Sequence, residues 1–135
     1  MNSSTRIALV TGASMAKPDP ESHLLVAALA RRGIAAALVP WDSAQAWASY
    51  RLVVVRTPWD YFARLQEFLD WARRTSALTD FVNPFSVIEW NSHKRYLFEL
   101  AARGVDIVPT RFIERHGAPV AHVHGVGDQL VALVQ

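Results

Sequence analysis

Short apolar runs alternate with amphipathic stretches along the first hundred residues, and this alternation sets the expected elements. Residues 6–11 (RIALVT), 34–39 (IAAALV) and 52–55 (LVVV) are apolar runs of strand length. Continuous runs of this kind suit strands buried on both faces of a parallel sheet. Between the first two, Asp19-Pro20-Glu21 reads as a helix start, with the carboxylate as N-cap and proline in the first turn. Leu24, Leu25, Ala28 and Leu29 supply that helix's apolar stripe, and Gly33 its left-handed cap. Residues 43–50 form a short helical or irregular connection. Residues 63–74 make the clearest helix, because Leu65, Phe68, Leu69 and Ala72 fall at i, i+3, i+4 and i+7.

Farther on, Phe81-Val82 predicts a short fourth strand ending at Asn83-Pro84. A helix is expected from about His93 to Arg103, capped by Asn91 or Ser92 and closed by Gly104. Residues 105–108 then read as a strand. Beyond Thr110 the pattern weakens: a strand is expected at 111–114, a loop at 115–125 and a helix at 127–135. The apolar run 130–134 is expected to leave uncovered surface that favours self-association.

Alternating strands and helices imply a parallel sheet with right-handed crossovers, a three-layer α/β/α, Rossmann-like arrangement. Ligands in such sheets gather beyond the carboxyl ends of the strands. After the first strand comes VTGAS, but no further glycines follow to admit a pyrophosphate, which argues against a nicotinamide cofactor. After the third comes Arg56-Thr57-Pro58-Trp59-Asp60-Tyr61. One reading gives Arg56 an anionic ligand, since its planar fork suits carboxylate or phosphate, with Asp60 holding a ligand amine or positioning Arg56. The other makes Arg56 and Asp60 an ion pair that fixes the loop, with Trp59 and Tyr61 packed over it. Both stay open on these residues alone. Lys94, expected in the first turn of a helix, is a second candidate for meeting a phosphate, weighed against an ordinary surface lysine.

Composition narrows the class. A 51% hydrophobic fraction suits a folded domain, and 135 residues suit one domain or a little more. The chain has no cysteine, hence no thiolate site or disulfide framework. No apolar run approaches a membrane span, and MNSSTR lacks the pattern of a signal peptide, so a cytoplasmic protein without a membrane partner is expected. The formal net charge is only +2 and the arginines are scattered rather than striped, which argues against nucleic acid. His116, His122 and His124 carry no cysteine or carboxylate pattern of a metal site and read as loop histidines.

Taken in order, RTPWDY, EFLDW, NP and WNSHKRYLFELAARGVDIVPT resemble the N-terminal part of ATP-grasp ligases, nearest to the glutathione-synthetase-like and cycloserine-synthetase-like groups. The resemblance implies an α/β domain over residues 1–90 and the incomplete start of an ATP-grasp domain over 91–135. It implies that Lys94 contacts ATP phosphates. Arg56, Thr57, Trp59, Asp60 and Tyr61 would border the site of a small-molecule substrate. The implied reaction turns a carboxylate into an acyl phosphate that an amine attacks, with ATP and Mg²⁺ as cofactors. The family's second phosphate-binding lysine, glycine-rich flap, adenine pocket and magnesium ligands are not found in these residues. Residues 1–135 are therefore expected to be inactive alone, as the front part of a larger or split ligase, with a homo-oligomer or a missing C-terminal half as partner. A stand-alone α/β ligand-binding or interaction module is the alternative.

Overall fold

The computed structural model describes residues 6–13, 19–113, 119–122 and 131–134, with side chains up to residue 110. The chain divides into two compact units, Met1–Glu89 and Trp90–Gln135.

The first unit holds a parallel sheet of β1 (Arg6–Thr11), β2 (Ala35–Pro40), β3 (Leu52–Thr57) and β4 (Asp80–Phe81) in the order β2-β1-β3-β4. The α/β class is thus the one the apolar pattern predicts. Helix α1 (Pro20–Ala30) joins β1 to β2, and α2 (Leu65–Ser76) joins β3 to β4. These two crossovers leave the centre of the sheet in opposite directions, so right-handed connections put α1 and α2 on opposite faces.

Side-chain alternation follows from the pleat. Ala8, Val10 and Val53 join Phe68, Trp71 and Ala72 of α2 in one core, together with Trp41, Trp47 and Tyr50 from the connection after β2. Ile7 and Leu9, one residue out of phase on β1, are buried as well. That accounts for the unbroken apolar run of a central parallel strand. Phe68, Leu69 and Ala72 turn inward as their spacing predicts. On α1 the expected stripe is shifted. Ser22 is the buried residue, whereas Leu24 is 70% exposed.

Helix α3 (Phe85–Ser92) was not expected. The carbonyl of Pro84 accepts from the Val87 and Ile88 amides at 2.9 and 3.1 Å, so the proline heads a helix rather than merely ending a strand. The next helix, α4 (Tyr96–Ala102), starts later than predicted. Residues 105–108 are not a strand, and pairing begins only after Pro109, which has no N–H to donate. There β5 (Thr110–Ile113) pairs antiparallel with β6 (Pro119–His122) and parallel with β7 (Val131–Val134). β6 replaces part of the expected loop, and β7 replaces the end of the expected helix. His116, His124 and the side chains of 130–134 lie outside the described residues. Among the described residues no helix is long and apolar enough to cross a membrane.

Candidate functional site

The crossovers diverge between β1 and β3, and a crevice beyond the carboxyl ends of those strands is where open α/β sheets take ligands. The register makes Arg56 unusual. Val10 is paired with Val55 but Thr11 with Thr57, so Arg56 is an extra residue with no partner on β1. A bulge of this kind bends the strand and re-aims the side chain. The two strand ends are then tied again. Thr57 Oγ1 donates to Thr11 Oγ1 at 3.2 Å, and the Gly12 amide donates to the Thr57 carbonyl at 3.1 Å.

Arg56 does not pair with Asp60. Its guanidinium donates to Asp19 Oδ2 at 3.3 Å, with Glu21 at 4.0 Å, while its Nε–H is buried without an acceptor among the described residues. Asp19 is the residue the sequence reading missed. It is the helix cap its sequence position predicts: its carboxylate accepts from the Glu21 amide and the Ser22 hydroxyl, each at 3.1 Å. Burial opposes its ionisation, but these two donors and Arg56 outweigh it and lower its pKa below the ordinary aspartate value. The bulge at Arg56 and the N-cap of α1 thus meet through one carboxylate.

Asp60 accepts from the indole Nε1–H of Trp41 at 2.9 Å. Thr57 is buried. Trp59 is 59% exposed, so it is not packed over the loop. Tyr61 begins a 3-10 turn (Tyr61–Ala63) and sits against Phe68, ring centroids 5.4 Å apart. The structure therefore gathers Arg56, Thr57 and Asp60 at the strand ends and gives the two acidic and basic groups separate partners.

Lys94 belongs to the second unit. It lies in the joint between α3 and α4, ahead of Arg95 at the N-cap of α4, and not in a first helical turn, so the expected helix-dipole support does not apply. Its Nζ lies 5.7 Å from the Tyr96 ring centroid. That ring lies against Trp90, centroids 4.9 Å apart at a tilt of 52°, and the Trp90 indole donates to Glu99 at 2.7 Å.

A separate concavity of about 590 Å³ runs beside α2, lined by Trp41, Trp47, Trp71, Asp42, Glu67 and Asp70 among others. Its carboxylates are already engaged. Arg64 reaches Asp42 and Glu67 at 2.6 Å each, and Arg73 reaches Asp70 at 3.4 Å. The hydrogen bond from Arg64 lowers the Glu67 pKa, and the Glu67 and Asp42 bonds in turn raise that of Arg64. Among the described residues no group of three His, Cys, Asp or Glu side chains is placed to hold a metal.

A doubly wound α/β domain with a bulged arginine at its switch point is the class these features define. The chain belongs to the family of the N-terminal domain of D-cycloserine synthetase DcsG, whose model matches residues 7–83. It is 36% identical over 108 residues to the cycloserine biosynthesis protein DcsG of Streptomyces lavendulae, a match covering 79% of this chain and 36% of that protein. The crystal structure of D-cycloserine synthetase DcsG superposes with a TM-score of 0.71 at 35% identity, over 77% of this chain and 35% of that one. The chain thus spans little more than a third of the length of the relatives it matches.

Proposed function

We propose that this chain is the substrate-side portion of an ATP-dependent ligase that joins a carboxylate to an amine through an acyl phosphate. The observation that carries the reading is Arg56: a bulged cation at the switch point of a domain whose relatives are cycloserine synthetases, with a buried Nε–H that has no acceptor among the described residues. An anionic substrate group would meet the exposed part of the Arg56 side chain, whose planar fork suits carboxylate or phosphate. Thr57 supports the bulge, and Trp59 offers an exposed aromatic wall beside it.

Lys94 is the group here that suits an ATP phosphate, as a compact cation held beside an aromatic ring. ATP supplies the phosphoryl group that activates the carboxylate. In this reading magnesium and most of the nucleotide are held by further residues of a complete ligase, and Lys94 is the contribution of this chain.

Calorimetric titration of the chain with D-cycloserine, the compound named for its relatives, tests the substrate side. Saturable binding that Arg56→Ala abolishes is the expected result. Mg-ATP should give no heat of tight binding. Absence of D-cycloserine binding, or binding indifferent to Arg56→Ala, would leave the stand-alone module as the better description.

A further inference from the structure

We infer that Asp60 is a positioning residue and not a ligand contact, and that Trp41 and Gly12, at the ends of two other strands, set where it stands. The inference rests on reading the strand end as a substrate site. Three strand ends converge on Asp60. From β2, the Trp41 amide donates to the Thr11 carbonyl at 3.0 Å, and its indole N–H to Asp60 Oδ1 at 2.9 Å. From β1, Gly12 lies so close beneath the carboxylate that a Cβ there would stand 2.3 Å from Oδ1 and 2.7 Å from Cγ. From β3, the turn that carries Asp60 closes on itself: the Tyr61 amide donates to the Pro58 carbonyl at 2.9 Å, and the Ala63 amide to the Asp60 carbonyl at 3.2 Å.

The indole cannot adapt to the loop. Trp41 is 2% exposed, with Phe68 edge-on at 5.6 Å, Trp71 at 6.2 Å and the Arg64 guanidinium 4.6 Å from its ring centroid. Its N–H direction is fixed by the core before any ligand arrives. Asp60 copies that direction into the turn, and the turn sets the approach to Arg56 and Trp59. Sequence spacing hides the link, because Trp41 stands 19 residues away and reads as plain core.

Two substitutions separate this role from ligand contact. Trp41→Phe keeps an aromatic ring in the core and deletes the N–H. Asp60→Asn removes the charge and keeps an oxygen to accept from the indole. We expect Trp41→Phe to weaken D-cycloserine binding about tenfold or more, the affinity equivalent of one hydrogen bond to a charged group, and Asp60→Asn, which keeps a neutral bond to the indole, to weaken it distinctly less. Amide NMR on the same variants reads the turn without a ligand. Resonances of Thr57 and Phe62, which are not sequence neighbours of Asp60, should move in Trp41→Phe and hold in Asp60→Asn, with those of α1 unchanged in both. If Asp60→Asn weakens binding as much as Trp41→Phe, the carboxylate touches the ligand and the inference is overturned. Unmoved loop resonances in Trp41→Phe overturn it as well. If the parent chain binds no D-cycloserine, the proposed function fails, and the NMR arm alone decides for or against the positioning role.

Discussion

Replacing Gly12 by alanine isolates one contact. Gly12 is not among the glycines with positive φ, Gly33 and Gly104, so an alanine backbone fits and only the added methyl matters. That methyl would lie 2.3 Å from Asp60 Oδ1, so the carboxylate must retreat by about 1 Å to reach ordinary van der Waals distance. A hydrogen bond already at 2.9 Å does not survive such a move away from Trp41. Loss of a hydrogen bond to a charged group costs about 1.5–3 kcal/mol. Residual crowding adds about 1–3 kcal/mol. The stiffer unfolded chain returns about 0.4–1 kcal/mol. The expected destabilisation is about 2–5 kcal/mol, read as a lower urea midpoint at unchanged m-value. Combining Gly12→Ala with Asp60→Ala removes the clash, so the double variant should be no less stable than Asp60→Ala alone. A Gly12→Ala protein within about 0.5 kcal/mol of the parent would refute the reasoning, because it would mean Asp60 moves freely.

Burial predicts a sharp contrast between two phenylalanines. Phe68→Ala, at 3% exposure, should lose about 3–5 kcal/mol, whereas Phe62→Ala, at 75% exposure, should stay within about 0.5 kcal/mol in the same urea titration. Glu67 has a lowered pKa, so its bond to Arg64 stabilises the fold above the ordinary glutamate range and is lost as pH falls through the lowered value. Melting curves of Glu67→Gln should therefore lie below the parent near neutral pH and meet it in acid. Asp19→Asn keeps an acceptor for the helix cap but removes the charge facing Arg56. Its melting temperature should converge on the parent's in acid in the same way, since the Asp19 pKa is also lowered.

Elements whose pattern is local were legible in the sequence. β1 and β2 need only a continuous apolar run and α2 only helical spacing, and Gly33 takes the positive φ its place after α1 requires. Elements that depend on a distant partner were not. Residues 105–108 have strand-type side chains but no strand partner among the described residues, while the VALV of β7 becomes a strand because β5 lies beside it. The site behaves the same way. Arg56 was found because it follows a buried strand, but its bulge is a property of the register with β1. Asp19 lies 37 residues from Arg56, and a cap signal says nothing about a second use of the same carboxylate.

The packing around α2 has an optical consequence. Trp71 has Trp47 at 5.3 Å, Trp41 at 6.2 Å, Phe68 at 5.5 Å and Phe81 at 5.9 Å, with mutual tilts between 33° and 66°. Indoles this close and held at fixed angles couple as chromophores. Excitation passes among them before emission, and their fixed tilts give the near-ultraviolet dichroism a definite sign and size. The sheet and α2 thus carry a built-in spectroscopic ruler that needs no dye. Loosening of the core would average that signal away while the helical signal persisted.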